Sequence, residues 1–310
     1  MSAVTYVEAI VVGALQGVSE LFPVSSLGHS VLLPAWLGGQ WKADLSLDKG
    51  SPYLAVLVAM HVATALALVI FFRRDWIRII GGLWTSIRDR QVRTPDQRLA
   101  WLLVLATIPV GIAGLLLESA LRDVFGKPVP VAIFLILNGG VLYAAERFAR
   151  RKKAVEVSDE TVDFSAEETM IMRAVSVDEV TDQRLAKLSV KDAVLIGSAQ
   201  ILALLPGISR SGSTMVAGMA KGLGHEDSAR FAFLLATPVI MAAGVLKLPE
   251  LFQPQNHASV GPAFVGSLVA GVASYISIRF LVRYFETRTL TPFAIYCVVA
   301  GISSLVFFNV

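Results

Sequence analysis

Six predominantly apolar runs divide this sequence, and each is long enough to cross a lipid bilayer as a helix. They cover residues 53–72, 99–117, 129–148, 229–248, 263–285 and 292–308. A helix needs about 20 residues to span a hydrocarbon core about 30 Å thick. Only 16% of the residues are charged, whereas soluble domains carry about 25%. The sequence therefore predicts an all-α polytopic membrane protein with six transmembrane helices.

Two further hydrophobic segments are interrupted by polar residues and a proline. Residues 4–37 are broken at Pro23, and residues 190–223 are broken at Pro206. Irregular backbone survives at membrane depth only where it contacts protein or a water-filled cavity. We therefore expect each segment to be a re-entrant helix pair, which enters and leaves the membrane by one face and turns its polar break inward.

The distribution of basic residues sets the expected orientation. Residues 73–98 and 147–153 are rich in Arg and Lys, so both are predicted to be cytoplasmic, whereas residues 118–128 hold two basic residues and residues 249–262 hold none. Each half then contains one re-entrant pair and three crossings. Since three is odd, the second half starts from the opposite side of the membrane. This order predicts inverted-topology repeats, residues 1–149 and 191–310, whose breaks meet near the midplane.

Residues 150–190, between the predicted repeats, have a different composition. They include the stretch EVSDETVDFSAEET and show no sustained apolar period. Such a composition cannot bury enough apolar surface to form a core of its own. We expect a cytoplasmic insertion that is flexible or partly helical and dispensable for chemistry.

The remaining composition excludes several classes of protein. The net charge of +3 is spread over short clusters between apolar runs, which is typical of cytoplasmic loops and argues against nucleic-acid binding. Cys297 is the single cysteine, so a disulfide framework and a thiolate metal site are both excluded, and we expect a small buried side chain. The first residues, MSAVTYVEAIVV, lack the basic start of a secretory signal peptide.

The first break, QGVSELFPVSSLGH, carries groups suited to catalysis or metal binding. Gln16 and Glu20 are four residues apart and share a helix face. The break then presents Ser25, Ser26 and His29. In a soluble protein these would most simply be a helix cap and a hydrogen-bonded histidine. In a membrane such groups are costly unless they are used, so a functional site is the preferred interpretation.

The second break, PGISRSGST, is predicted to bind an anion. Arg210 lies among Ser209, Ser211, Ser213 and Thr214, with Gly207 and Gly212 allowing a tight backbone. A guanidinium fork, hydroxyl groups and the N–H groups of a helix start together form a phosphate cradle. The alternative is a serine-rich helix cap in which Arg210 pairs with Glu20, and the two interpretations are compatible.

The two breaks resemble the signature motifs of the undecaprenyl pyrophosphate phosphatase family, also called the bacitracin resistance protein family. The resemblance extends over both halves, including ARFAFLLATPVI from Ala229, and leaves out only the insertion. It implies a multi-pass protein of the cell membrane that hydrolyses a C55 polyprenyl diphosphate lipid to the monophosphate. It also implies a site that opens to the outer face and a divalent cation, Mg²⁺ or Ca²⁺.

One position departs from that family pattern. The family commonly has a glutamate where this chain has Gln16, so an amide replaces the first of two carboxylates. An amide oxygen still binds a hard cation, but it supplies neither charge nor a base. Glu20 is therefore expected to carry the acid–base and metal roles nearly alone.

On this basis each polar residue of the breaks receives an expected role. Glu20 with Gln16 would bind the cation, Ser26 would be the nucleophile, and His29 would act as its base or as the acid for the leaving group. Direct attack by His29 or by water remains an alternative. The residues assigned to the diphosphate are Ser25, Ser209, Arg210, Ser211 and Thr214.

Four other polar residues and two other functions complete the predictions. His61, inside an apolar run, is expected to be a packed or hydrogen-bonded core histidine rather than a ligand; His225 and His257 receive no role, and Arg230 is a further candidate for phosphate contact. The main rival function is a transporter that flips polyprenyl phosphate or carries an ion-coupled solute, since broken helices in inverted repeats are typical of secondary transporters. A purely structural subunit fits poorly with polar groups at membrane depth. Small-residue spacings, Gly13/Gly17 and Gly218/Gly222, suit either packing within the chain or a homodimer.

Overall fold

Helices account for nearly all of the secondary structure in the computed structural model, which describes residues 3–47, 51–159 and 177–308; no strand occurs in these ranges. The helices are α1 (Tyr6–Ser19), α2 (Ser26–Leu37), α3 (Gly39–Asp44), α4 (Pro52–Phe71), α5 (Arg73–Asp89), α6 (Pro95–Phe125), α7 (Pro128–Asp159), α8 (Val177–Ala186), α9 (Val190–Ser198), α10 (Arg210–Ala220), α11 (His225–Lys247), α12 (His257–Thr287) and α13 (Thr291–Phe307). Short 3₁₀ turns follow α9 and α11.

Five helical segments in the described part of the chain are long and apolar enough to cross a membrane: Pro52–Phe71, Pro95–Leu117, Pro128–Arg151, His225–Phe252 and Pro254–Thr287. The prediction of an all-α polytopic membrane protein is therefore confirmed. The sixth predicted crossing forms α13, which has 17 residues and a length of about 25 Å at 1.5 Å per residue. The count of six crossings thus remains a prediction.

The basic stretch 73–98, treated as a loop in the sequence analysis, contains the helix α5. One stripe of this helix is exposed and strongly apolar, formed by Ile77, Ile80, Trp84 and Ile87, while arginines occupy both of its ends. An apolar stripe opposite basic residues is typical of a helix that lies in the membrane interface. Its low overall hydrophobicity explains why no membrane-spanning run is visible there.

The two halves of the chain interlock. Helix α1 packs along α12, α4 packs against α12, and α7 packs along α13. Close approach of backbones makes this packing possible: a Cβ atom on Gly139 of α7 would lie 2.7 Å from the carbonyl oxygen of Ala294 on α13, and Gly13 and Gly17 of α1 lie directly against the α12 backbone. These two small residues therefore serve packing within the chain.

The segment 150–190 is helical at both described ends. Helix α7 continues to Asp159, and α8 begins at Val177; residues 160–176 lie outside the described part. The last turns of α8 pack into the molecule, because Thr181, Asp182 and Leu185 are all buried. The end of the predicted insertion thus contributes to the core.

Candidate active site

The two polar breaks lie against each other and are joined by hydrogen bonds. Ser25 Oγ accepts a bond from the Gly207 N–H at 3.2 Å, and Ser211 Oγ donates to the Phe22 carbonyl at 3.3 Å. Asn138 on α7 bonds both breaks: its Nδ2 donates to the Pro23 carbonyl at 3.1 Å and its Oδ1 accepts from the Ser209 N–H at 3.0 Å. The side chain of one helix thus fixes both breaks.

The backbone at these breaks adopts conformations that most residues avoid. Ser25 has φ +71° and Gly207 has φ +110°. A Cβ atom on Gly207 would lie 2.5 Å from the Val131 carbonyl oxygen, so only glycine fits there. A non-glycine residue at positive φ such as Ser25 costs about 1–3 kcal/mol and is most often found at functional sites.

Glu20, at the end of α1, is the centre of the site. Its Oε1 accepts a hydrogen bond from Arg210 at 2.8 Å. Its Oε2 accepts from the Ser26 hydroxyl, from Gln16 Nε2 at 3.0 Å and from His61 Nε2 at 3.2 Å. The Glu20 residue is only 6% exposed, so these interactions act in a low dielectric, where each is stronger than in water. The Glu20–Arg210 pair, which the sequence analysis gave as an alternative compatible with phosphate binding, is present in the structure.

Two polar atoms at this centre are buried and have no hydrogen-bond partner within the described residues. They are Arg210 Nη1, a donor, and Gln16 Oε1, an acceptor. Buried polar groups are normally satisfied, so an orphan requires an explanation. An anion beside Arg210 would accept from the first, and a cation beside Glu20 would bind the second.

The hydroxyls assigned to phosphate also hold the local structure. Ser25 Oγ accepts from the Gly28 N–H at the start of α2, and Ser209 Oγ accepts from the Gly212 N–H at the start of α10. Ser209 and Ser211 share a hydrogen bond at 3.1 Å. Thr214 donates to the Arg210 carbonyl at 2.8 Å. All four side chains therefore have a capping or packing role beside any contact with substrate.

His29 lies on α2, and its ring contacts Ser25 and Tyr296. Its Nδ1 is 2.6 Å from the Ser25 carbonyl oxygen, its Nε2 is 2.7 Å from the Tyr296 hydroxyl, and the two rings stack with centroids 5.7 Å apart. The bonded partner of Ser26 in the described structure is Glu20. Ser26 is therefore hydrogen-bonded to the Glu20 carboxylate, whereas His29 is hydrogen-bonded to Tyr296 of α13.

Two residues of this neighbourhood were not found by sequence reasoning. His61, expected to be a packed or hydrogen-bonded core histidine with no part in the site, has Nε2 3.2 Å from Glu20 Oε2. The signal that could have found it is its position: a histidine in the middle of an apolar run is costly unless it is used. Tyr296 lies within an apolar run and no local motif marks it.

Arg230 takes part in a different cluster. It lies 3.1 Å from Asp75 and 2.8 Å from Asp182, with its guanidinium 5.3 Å from the Phe72 ring centre. Asp182 also bonds Arg78 at 2.6 Å. Burial raises the pKa of Asp75, although Arg230 and Arg78 oppose this shift. The expected contact of Arg230 with phosphate has no support from this placement.

The other two histidines also lie outside the Glu20 site. His225 is 2.7 Å from Glu146, and His257 is 3.0 Å from the Phe252 carbonyl oxygen.

The fit of a divalent cation can be judged from the donors around Glu20. Among the described residues no group of three or more His, Cys, Asp or Glu side chains is placed to hold a metal ion. Within the described structure, Glu20 Oε1 accepts one hydrogen bond and so keeps a lone pair, and Gln16 Oε1 has no hydrogen-bond partner there. Mg²⁺ is commonly held by one or two carboxylates together with substrate phosphates. These residues fit a cation shared with a phosphate ligand.

The arrangement can activate a hydroxyl and bind an anion at one place. A buried carboxylate that accepts the Ser26 proton makes the oxygen a better nucleophile. Arg210, at the start of α10, presents a positive charge and a free N–H group, and helix starts favour anions. Such a pairing suits transfer of a phosphoryl group.

Comparisons with known proteins agree with this chemistry. The family model described as "Bacitracin resistance protein BacA" matches residues 9–303. An undecaprenyl-diphosphatase of Mycolicibacterium paratuberculosis is 59% identical over 97% of both chains. The undecaprenyl-diphosphatase 1 of Frankia casuarinae is 48% identical over the whole of both chains, and the undecaprenyl-diphosphatase 2 of Chromobacterium violaceum is 42% identical over 97% of this chain and 98% of that protein. This chain therefore belongs to the bacitracin resistance protein BacA family.

Proposed function

We propose that this protein is an integral membrane phosphatase that hydrolyses undecaprenyl diphosphate to undecaprenyl phosphate and inorganic phosphate, which recycles the lipid carrier for cell-wall synthesis. The observation that carries the proposal is the buried contact of Ser26 and Arg210 with one carboxylate, Glu20. The names of the similar proteins support the same activity. A long lipid tail also suits a site enclosed by apolar helices.

Substrate binding is assigned to the start of α10. Arg210 has a buried Nη1 with no partner among the described residues, and a guanidinium binds phosphate through two parallel N–H groups. Ser209, Ser211 and Thr214 surround Arg210 in the chain, and Ser25 comes from the first break. We assign these hydroxyls to the diphosphate oxygens, with their present bonds holding the cradle in shape.

The first chemical step is assigned to Ser26 and Glu20. Ser26 Oγ attacks the terminal phosphorus, the P–O bond to the lipid phosphate breaks, and the hydroxyl proton passes to Glu20, which already accepts it in a hydrogen bond. In the second step water attacks the same phosphorus. The Ser26 Oγ–P bond then breaks and the proton on Glu20 returns to the serine oxygen. The water oxygen leaves with one proton in the inorganic phosphate, and the other water proton passes to His29, where it replaces the proton given to the lipid phosphate.

His29 is assigned to the leaving group. It follows Ser26 by three residues on α2, so both side chains share a helix face. Its ring is held by the Ser25 carbonyl and Tyr296, which leaves Glu20 as the base for Ser26. The proton for the lipid phosphate would come from the imidazole.

A divalent cation, Mg²⁺ or Ca²⁺, would be held by Glu20 and Gln16 together with the diphosphate. When bound it would neutralise phosphate charge. The chain's own part is to present Gln16 Oε1, a buried oxygen without a partner, beside the carboxylate.

We assign the membrane arrangement as six crossings and two re-entrant pairs in inverted repeats, in the cell membrane, with the site open to the outer face. The basic ends of α5 support a cytoplasmic position for residues 73–98. The ionic cluster of Asp75, Asp182 and Arg230 lies at the same end of the molecule, since Asp75 belongs to α5.

Hydrolysis is distinguished from lipid flipping by one experiment. Purified protein in detergent is given a C55 polyprenyl diphosphate, and released inorganic phosphate is measured. Detergent removes the two compartments that transport requires, so the proposal predicts continued phosphate release. A protein that binds the lipid in detergent but releases no phosphate would favour the transporter. The observation that favours hydrolysis is the Ser26–Glu20 bond, because a headgroup in transit needs no activated hydroxyl.

A further inference from the structure

His61 bonds the carboxylate on which the proposed mechanism depends, although it belongs to neither break. It lies in the middle of α4, with its side chain 25% exposed, and its Nε2 is 3.2 Å from Glu20 Oε2. Its other ring nitrogen, Nδ1, is 2.7 Å from the Leu57 carbonyl oxygen one turn earlier. The partner of Nε2 is a carboxylate oxygen, which accepts, so Nε2 is the donor in this contact.

The bond to Leu57 fixes the direction of the ring. A histidine held at one nitrogen by a backbone carbonyl has its other nitrogen aimed in a set direction. The helix that carries it is itself fixed one turn later, where Ser274 of α12 donates to Thr64 at 3.0 Å. Glu20 thus receives one donor from a rigid helix outside the breaks.

The other donors to Glu20 are less suited to hold it during a reaction. Ser26 is the group to be deprotonated, and Arg210 is assigned to the phosphate. Gln16 is on the same helix as Glu20 and so moves with it. Arg210 also bonds Oε1 rather than Oε2, so among the described donors to Oε2, His61 is the one that neither reacts nor moves with the helix of Glu20.

We propose that His61 is a positioning residue, which holds Glu20 Oε2 against the Ser26 hydroxyl. The inference rests on the proposed function, because its readout is phosphate release. It assigns His61 no contact with substrate. Loss of the imidazole should therefore change kcat and leave KM close to its wild-type value.

The test compares three variants in the detergent assay, with kcat and KM determined separately. In His61→Leu the donor is absent, and we expect kcat to fall about 10–100-fold, the loss typical of residues that orient a catalytic ligand. In His61→Gln the amide nitrogen takes nearly the place of Nε2, so most of kcat should return. His257→Leu is the matched control, because it removes a histidine that lies outside the Glu20 site, where its Nε2 is 3.0 Å from the Phe252 carbonyl oxygen, and it should keep the wild-type kcat.

The outcomes separate this inference from the function on which it rests. Phosphate release by the wild type with unchanged kcat in His61→Leu would overturn the positioning role alone. Equal losses in His61→Leu and His61→Gln would also overturn it, because hydrogen-bond donation would then not be the cause. If the wild type releases no phosphate, the proposed function fails first. Should His61→Leu not purify as a folded protein, His61→Met takes its place in the comparison with His61→Gln.

Discussion

Glu20 contacts four polar side chains of the site, and its two oxygens have different tasks. Oε1 faces Arg210, and Oε2 faces Ser26, Gln16 and His61. A buried carboxylate with a hydrogen bond to each oxygen is strongly held, because leaving any of these groups unpaired in the interior is costly. Glu20 can thus pair with the Arg210 guanidinium through Oε1 and accept the proton of Ser26 through Oε2.

The amide at Gln16 gives the first prediction. Its Nε2 donates to Glu20 at 3.0 Å, so Gln16→Glu would replace a donor by a second carboxylate at hydrogen-bond distance. Two carboxylates at that separation require a cation or a shared proton. We expect tighter Mg²⁺ binding in calorimetry without substrate, and a lower Mg²⁺ concentration for half-maximal phosphate release.

The matched control is Gln40→Glu. Gln40 also donates to a carboxylate four residues later, Asp44, at 2.8 Å, but it lies on the exposed helix α3. Gln40→Glu should leave the Mg²⁺ concentration for half-maximal phosphate release unchanged. Equal Mg²⁺ affinity in wild type and Gln16→Glu would contradict the placement of a cation between positions 16 and 20.

Much of the site was visible in the sequence at the residue scale. The polar breaks and the compatibility of a Glu20–Arg210 pair follow from local motifs and from the cost of polar groups in a membrane. The partner of Ser26 does not, because His29 was expected there and the structure has Glu20. His61 and Tyr296 were missed for a physical reason. Each lies in an apolar helix, and its contact depends on which helix faces it, which no local pattern specifies.

At the scale of elements, the second break depends on a glycine that no other residue can replace. Gly207 has φ +110°, and its neighbour is the Val131 carbonyl of α7. Gly207→Ala should distort the break and remove its N–H bond to Ser25. We expect loss of phosphate release and a lower melting temperature, since alanine at positive φ destabilises by more than about 1 kcal/mol.

Gly140→Ala provides the comparison for this variant. Gly140 lies inside α7, and a Cβ atom there would meet no other atom within 4 Å. Alanine in a helix interior is favoured by about 0.5–1 kcal/mol over glycine, so activity should persist and stability should not fall. Wild-type activity in Gly207→Ala would show that the break tolerates another backbone conformation.

The ionic cluster around Arg230 joins α5, α8 and α11. Arg230, Asp75 and Asp182 have side chains only 6%, 10% and 4% exposed. Arg230→Ala would leave two buried carboxylates with one arginine fewer, and removing one partner of a buried ion pair costs about 3–5 kcal/mol. We expect a clear fall in the melting temperature in detergent and an unchanged KM for the diphosphate at lower temperature.

Arg88→Ala is the control for Arg230→Ala, because Arg88 forms an exposed pair with Asp89 at 2.8 Å. It should leave the melting temperature unchanged, since exposed pairs contribute little. A raised KM with normal stability in Arg230→Ala would contradict the structural role and indicate that Arg230 contacts the phosphate.

The elements that the sequence could not predict share one property. Helix α5 has too few apolar residues to form a membrane-spanning run, and α8 lies in a stretch whose composition indicates an insertion. Their places are set by contacts with other elements: Asp182 of α8 bonds Arg78 of α5 and Arg230 of α11. Composition indicates how much apolar surface a segment can bury by itself. The positions of α5 and α8 depend instead on the residues of other helices that they contact.

At the scale of the whole molecule, the halves form one interlocked helical body. The apolar runs predicted the long helices, because membrane-spanning segments are specified by length and hydrophobicity. The pairing of α1 with α12 and of α7 with α13 was not predictable from those runs. It depends on which glycines meet which backbones, as Gly139 meets Ala294.

The proposed orientation predicts the accessibility of single cysteines. Gln91→Cys, after α5, should react with a membrane-impermeant maleimide only in broken cells, whereas Gln255→Cys, before α12, should react in intact cells. Cys297 is buried and adds little background. Labelling of Gln91→Cys in intact cells would contradict the orientation.

In the proposed mechanism the buried carboxylate of Glu20, which bonds Ser26 of the first break and Arg210 of the second, is the base for hydrolysis of a polyprenyl diphosphate. The most direct test of this role is the turnover of Glu20→Gln in detergent, with folding checked by the melting temperature. The amide would leave Arg210 without its buried partner and Ser26 without a base. We predict that kcat falls about 10²–10⁴-fold, the range typical of general acid–base groups. Turnover near that of the wild type in folded Glu20→Gln would contradict the mechanism.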